Sequence, residues 1–323
     1  MSRDICIFQS FLTEALRERI ADTAEEIGFI PHFFSADQFE AASACLQHCE
    51  ILYAQSPALL RTAPASLKWY CSSTAGVDVY CADPSVFANP DCLLTNSNVY
   101  GVTIAEHVVM VTLMLLRRMP EYEAVVREHR WSNQLTVRSI RDNTFTILGT
   151  GNIGINVAER LRGMGAAKII GLSRSGRPCP AFDEVSPISA LDEVLPRTRI
   201  LVMALPGTPE TVHILDRRRI ALLPADAYVI NVGRGTAVDQ TALADALNAG
   251  KLAGAALDVM DPEPLPKDDP LWDAKNLILT PHVSGNMTLG YTCEQAVDLF
   301  CRNLRRYAAG QPLEGLVDRK RGY

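Results

Sequence analysis

From Asn143 onward the chain repeats one pattern: a short apolar run, a polar or helical stretch, then another apolar run. The runs are Thr144–Leu148, Lys168–Leu172, Ile200–Leu205, Tyr228–Val232, Ala253–Val259 and Leu277–Leu279. None shows the strict apolar–polar alternation of a strand with one wet face. Strands without alternation need cover on both sides, and a parallel sheet between two helical layers supplies it. Six such runs joined by crossover helices predict a doubly wound α/β domain over about residues 101–282. The first hundred residues carry a looser rhythm. Ile5–Phe8, Ile51–Ala54 and Trp69–Ser72 are candidate buried strands there, and Thr13–Ile27 has helical apolar spacing. Cys81–Asn98, rich in Asp, Pro and Asn, reads mostly as loop, and a last helix is expected over about Met287–Ala309. At 323 residues the chain is long for one core. Residues 1–100 and 283–323 are therefore expected to form a second, discontinuous domain.

Composition narrows the function classes. With 31 basic and 37 acidic side chains, the net charge is −6 and no long run has one sign. That argues against nucleic acid or an anionic membrane as partner and leaves room for a local basic site for a small anion. The longest apolar run, Val108–Leu116, has nine residues and is too short to span a bilayer. Met1–Ser10 is strand-like with Asp4 inside it, so it does not read as a signal peptide. Nine scattered cysteines without a CxxC suggest small apolar fillers in a reducing compartment. A cytoplasmic location is expected. The six histidines show no HxxxH or HExxH spacing, so no metal site is expected. The apolar stretch Val102–Arg118 reads as a buried or dimer-facing helix, which predicts a homodimer.

The chemistry lies at the strand ends. The first run leads directly into Gly149-Thr150-Gly151-Asn152-Ile153-Gly154 and then a helical stretch. Glycines there permit a tight turn and let backbone N–H groups at a helix N-terminus approach a pyrophosphate, as in Rossmann-like domains. Later strand ends present Ser173-Arg174, Leu205-Pro206, Arg234, then Asp258 with Glu263, and His282. In open α/β sheets ligands bind at those ends. A dehydrogenase needs a cation for a substrate carboxylate, a proton donor for a carbonyl, and a group that tunes the donor. Arg234, His282 and Glu263 are the residue types for those roles, all expected to face one crevice.

Together, Gly149-x-Gly151-x-x-Gly154, Asn231-Val232-Gly233-Arg234-Gly235, Asp258-Val259 with Glu263-Pro264, and Pro281-His282 resemble the D-isomer-specific 2-hydroxyacid dehydrogenase family. Ser73-Thr74-Ala75-Gly76-Val77-Asp78 looks like its substrate-domain loop, and Thr103 with Ala105-Glu106-His107 like its interdomain helix start. The resemblance implies two Rossmann-like domains with a cleft between them. It implies that Arg234 grips the carboxylate or keto oxygen, His282 protonates the keto oxygen, and Glu263 pairs with His282 and favours its charged form. Backbone N–H groups of Ala75 and Gly76 would hold the substrate carboxylate. Asn152 and Ile153 would touch the pyrophosphate, Asp258 the nicotinamide carboxamide, and Thr103 would lie near the ring. Leu205, Pro206 and Val232 would complete the cofactor site.

One stretch departs from the NAD pattern. The end of the second strand of this domain reads Ile170-Gly171-Leu172-Ser173-Arg174-Ser175-Gly176-Arg177, with no acidic residue for the ribose 2′-hydroxyl. Ser173, Arg174 and Ser175 can instead donate to a 2′-phosphate, as in the NADP-preferring glyoxylate and hydroxypyruvate reductases of the family. The expected cofactor is NADP, with NAD possible, and the expected substrate a small anionic 2-keto or 2-hydroxy acid. Two alternatives share the motifs: a dinucleotide-sensing corepressor-like protein, and a formate- or phosphite-type dehydrogenase. The pocket for the substrate side chain is less patterned, with Tyr53, Trp69 and Met287 as candidates.

Overall fold

The computed structural model describes residues 3–322. The chain divides into two compact units, Met1–Tyr100 with Met287–Tyr323, and Gly101–Asn286. Among the described residues no helix is long and apolar enough to cross a membrane.

The first unit holds five parallel strands: β1 (Asp4–Phe8), β2 (Ile30–Phe34), β3 (Cys49–Ala54), β4 (Trp69–Ser72) and β5 (Leu93–Thr95). Their order is β2-β1-β3-β4-β5. Ile7, Tyr53 and Cys71 lie in register across three of them. These residues and Ile5, Ile51 and Trp69 pack with Leu16, Ile20, Val297, Phe300 and Leu304 from the helices Glu14–Glu26 and Gly290–Ala308. Residues one step along the strands, Cys6, Leu52, Ala54 and Tyr70, join a separate cluster with Leu46, Leu59 and Leu60. This period-two division is the geometry of a sheet covered on both faces. Helix Glu14–Glu26 begins where Thr13 accepts a hydrogen bond from the Leu16 amide, and it buries Leu16, Ile20 and Ala24 at four-residue spacing.

Two side chains named above as candidates for a substrate pocket belong to this core instead. Tyr53 is 1% exposed and stacks on Phe300 at 4.1 Å between ring centroids. Trp69 is fully buried, stacks on Tyr307 and donates its indole N–H to Thr95 Oγ1 at 2.9 Å. Burying such rings contributes about 1.5–3 kcal/mol each, which accounts for their position without any ligand.

The second unit holds seven parallel strands, one more than the apolar runs suggest. They are β6 (Thr144–Leu148), β7 (Lys168–Ser173), β8 (Glu184–Pro187), β9 (Ile200–Met203), β10 (Tyr228–Asn231), β11 (Gly254–Leu257) and β12 (Leu277–Leu279). The order is β12-β11-β10-β9-β6-β7-β8. The chain thus builds outward from β6 in one direction and returns to build from β9 in the other. At that reversal the crossover helices pass to opposite faces and leave a crevice beyond the strands' carboxyl ends. The β6 turn and the β9 loop meet there.

Candidate active site

The turn after β6 is shaped by close approach. Gly149 has φ +102°, and a Cβ on Gly154 would fall 1.9 Å from the Gly149 carbonyl oxygen. Only glycine lets helix Asn152–Gly163 start this tightly against the strand. Gly151 caps the helix without any side-chain hydrogen bond, and a Cβ there would meet nothing within 4 Å. The first-turn N–H groups therefore open onto free space rather than onto a capping side chain. Backbone donors at a positive helix end, with a glycine where a ligand would approach, fit a dinucleotide pyrophosphate. Gly149, Gly151, Asn152, Ile153 and Gly154 all lie at this turn.

At the end of β7, Ser173 Oγ accepts a hydrogen bond from the Gly176 amide at 3.2 Å, while Arg174 and Ser175 are exposed. Glu210, beyond β9, has a carboxyl held below the usual range by its own backbone and Thr208, with the Arg174 charge adding to the effect. Leu205 and Pro206 follow β9, half-buried, and the Pro206 carbonyl accepts from Thr211 Oγ1 at 2.8 Å.

The loop after β10 is drawn into a knot by Asn231, which is fully buried. Its amide donates to the Arg234 carbonyl at 2.8 Å and accepts from the Gly233 amide at 3.0 Å. A Cβ on Gly235 would fall 2.0 Å from the Met260 carbonyl carbon, so this loop abuts the segment after β11. Val232 is buried beneath it, and the half-buried Arg234 guanidinium donates to the Gly233 carbonyl at 2.8 Å. In the sequence Asn231 stands only as part of the Asn231–Gly235 motif; its task of tying the loop leaves no periodic trace.

Asp258, 1% exposed, organises the next turn. Its Oδ1 accepts from Thr280 Oγ1 at 2.6 Å and from the Val283 amide at 2.9 Å, and its Oδ2 accepts from the Ser284 amide at 3.0 Å. Burial would raise the Asp258 pKa, but hydrogen bonds from Ser284, Thr280 and Val283 outweigh it and hold the carboxyl below its ordinary value. The Asp258 carbonyl accepts the His282 amide at 2.8 Å, and His282 itself sits at φ +54°, in the left-handed region. One aspartate thus fixes the backbone at the histidine and over the two residues after it. Asp258, expected from the sequence to contact a carboxamide, holds this turn. Behind the turn, His107 Nε2 lies 3.3 Å from Thr280 Oγ1, and burial, partly opposed by Asp258, lowers the His107 pKa. Thr103 lies one turn earlier on the same helix, Gly101–Leu116, half-buried.

His282 Nδ1 lies 2.8 Å from Glu263 Oε2, and Glu263 Oε1 accepts the Met260 amide at 2.9 Å. An ionised carboxylate only accepts, so Nδ1 carries the proton and Nε2 faces outward from the pair. His282 is exposed. The histidine can exchange a proton at Nε2 while a backbone-anchored carboxylate fixes its ring.

Ala75 and Gly76 belong to the other unit, in the loop after β4. There every carbonyl from Ser73 to Gly76 is taken: by Tyr100 OH at 2.5 Å, the Ser97 amide at 2.9 Å, Asn96 Nδ2 at 2.9 Å and Thr74 Oγ1 at 3.0 Å, in that order. Among the described residues of this unit, no group accepts from the Ala75 or Gly76 amide.

A doubly wound sheet with a glycine turn at a helix N-terminus beside the strand reversal defines a dinucleotide-binding class of α/β proteins. Residues 109–284 match the family model described as "D-isomer specific 2-hydroxyacid dehydrogenase, NAD binding domain". The chain is 36% identical over 225 residues to a glyoxylate/hydroxypyruvate reductase A of Klebsiella pneumoniae, covering 69% of this chain and 70% of the relative. A D-isomer specific 2-hydroxyacid dehydrogenase family protein from Aeromonas salmonicida has a similar crystal structure, with TM-score 0.82, 33% identity, and coverage of 99% of this chain and 100% of that one. The NADPH-dependent glyoxylate/hydroxypyruvate reductase of Sinorhizobium meliloti, solved with NADP and sulfate, gives TM-score 0.83 at 29% identity over the full length of both chains. The chain belongs to the D-isomer specific 2-hydroxyacid dehydrogenase family and is an oxidoreductase.

Proposed function

We propose that this protein uses NADPH to reduce a small 2-keto acid, of the glyoxylate or hydroxypyruvate kind, to the D-2-hydroxy acid. The observation that carries the reading is the His282–Glu263 pair, 2.8 Å apart, with Nε2 left for a substrate oxygen. When bound, the nicotinamide supplies the hydride. His282 delivers a proton from Nε2 to the keto oxygen, and Glu263 keeps the ring oriented. Arg234, steadied by Asn231 at the end of β10, offers a planar guanidinium to the substrate carboxylate or keto oxygen. Amides of Ala75 and Gly76 supply further donors for the carboxylate. Asn152 and Ile153 bear on the pyrophosphate, with Thr103, Leu205, Pro206, Val232 and Asp258 around the nicotinamide half.

Cofactor choice follows from Ser173, Arg174 and Ser175. A carboxylate at this place would repel a 2′-phosphate, whereas these residues donate to it. A charged hydrogen bond contributes about 1.5–3 kcal/mol, roughly 10–150-fold in affinity. The NADPH-dependent Sinorhizobium protein, solved with NADP, supports the same choice. Initial rates on glyoxylate, hydroxypyruvate, 2-ketopantoate and phenylpyruvate with each cofactor test the reading. Turnover with kcat/KM at least tenfold higher for NADPH is expected. Arg174→Ala should reduce use of NADPH more than NADH, and Ser173→Asp should shift the ratio towards NADH. Tight NADPH binding without turnover of any keto acid would instead favour a dinucleotide sensor.

We also propose that the enzyme is a homodimer through the region of helix Gly101–Leu116. Met110, Leu113 and Met114 of that helix line an open groove with Met119, Tyr122 and Leu135. An exposed apolar groove of this kind commonly marks a surface that a partner covers.

A further inference from the structure

The loop after β4 has an arrangement that the proposed chemistry does not require but can use. Each carbonyl from Ser73 to Gly76 accepts a hydrogen bond from inside the unit, so each peptide is gripped at its oxygen end. The N–H of a peptide belongs to the residue after the carbonyl. The Ala75 amide is therefore backed by the bond from the Ser97 amide to the Thr74 carbonyl, 2.9 Å. The Gly76 amide is backed by the bond from Asn96 Nδ2 to the Ala75 carbonyl, 2.9 Å. A hydrogen bond accepted at C=O polarises the peptide and strengthens its N–H as a donor. It also fixes the direction in which that N–H points.

We infer that Asn96 is a positioning residue for anion binding: through the Ala75 carbonyl it orients and polarises the Gly76 amide toward the substrate carboxylate. This rests on the proposed role of Ala75 and Gly76. Asn96 is itself held from behind by the C-terminal segment. Its amide donates to the Gly315 carbonyl at 3.0 Å, Thr95 bridges antiparallel to Leu316, and the Val317 amide donates to the Leu94 carbonyl at 2.9 Å. Gly315 lies at φ +69°, and a Cβ there would fall 2.6 Å from the Asn96 carbonyl oxygen and 3.0 Å from its Oδ1. The segment around residue 315 thus sets where Asn96 sits, and Asn96 sets the amide.

The test uses the full-length enzyme with Asn96→Ala, Asn96→Leu, Asn96→Gln and Gly315→Ala. Expected for the alanine and leucine variants is a tenfold or greater rise in KM for glyoxylate and in the inhibition constant of oxamate, a carboxylate-bearing analogue. kcat should change less than threefold, and KM for NADPH and Tm should hold, because the lost interaction serves substrate binding. Gln, which retains an amide donor, should recover part of the loss, and Gly315→Ala should raise the same two constants without touching either donor residue. Unchanged KM and oxamate inhibition in folded Asn96→Ala and Asn96→Leu would overturn the inference, as would equal loss of NADPH affinity. If wild type reduces no keto acid, the functional reading fails separately. Direct titration of oxamate into the NADPH complex then decides: weaker binding to Asn96→Ala than to wild type supports the role of Asn96, and equal binding or none to either overturns it.

Discussion

His282 stands at a left-handed backbone angle that a non-glycine residue adopts only when its surroundings enforce it. Here Asp258 enforces it, taking the His282, Val283 and Ser284 amides through its carbonyl and carboxylate. The ring is then aimed by Glu263. If Nε2 is the proton donor, His282→Asn should lower kcat by about 10²-fold or more while NADPH affinity, read by fluorescence titration, stays near wild type. A variant within a few-fold of wild-type kcat would remove His282 from the reaction. Glu263, Arg234 and His282 were legible in the sequence because each follows a strand, where an α/β sheet presents its chemistry. Their supports were not. The Asn231 and Thr280 side chains act through bonds to backbone or carboxylate, and nothing in residue spacing distinguishes such a bond from a polar group that faces water.

At the scale of elements, the strands that escaped sequence reading share a location. β2 and β5 are the two edges of the first sheet, and β8 is an edge of the second. An edge strand has one neighbour, so it tolerates charge and proline, as in Ile30-Pro31-His32-Phe33-Phe34 and Glu184-Val185-Ser186-Pro187. Interior strands β1, β3, β4, β6, β7, β9, β10 and β11, covered on both faces, stand out as apolar runs. On β8, Glu184 is clasped by Lys168 of β7 at 2.7 Å and by Arg197. Arg197 first, then Lys168, lowers the Glu184 pKa from 4.5 to about 2. A carboxyl depressed on folding contributes stability above its unfolded value, and that contribution disappears as pH falls through the folded value. Glu184→Gln should therefore lower Tm at pH 7, by an amount corresponding to no more than about 1 kcal/mol for so exposed a cluster. The gap to wild type should close between about pH 4.5 and 2. A gap independent of pH in calorimetry would show that the clasp contributes nothing through its charge.

For the molecule as a whole, the apolar groove beside helix Gly101–Leu116 sets the expected state of assembly. Met110 and Met119 are each nearly half exposed, and Trp131, in the segment after Met119–Arg127, is fully so. Sedimentation at micromolar concentration should give twice the chain mass of 35.4 kDa, and Met110→Glu with Met119→Glu should shift it toward one chain. A wild-type monomer would argue against the assembly. The division of the chain has another consequence, which concerns biosynthesis. Unit Gly101–Asn286 is continuous, so all its strands have left the ribosome once residue 286 is clear. The first unit is not: Tyr53 and Trp69 wait for Phe300 and Tyr307, and β5 waits for Leu316 and Val317. The earlier part of this unit is thus completed only after the continuous unit has emerged, and its apolar sheet face stays uncovered until the helix Gly290–Ala308 follows.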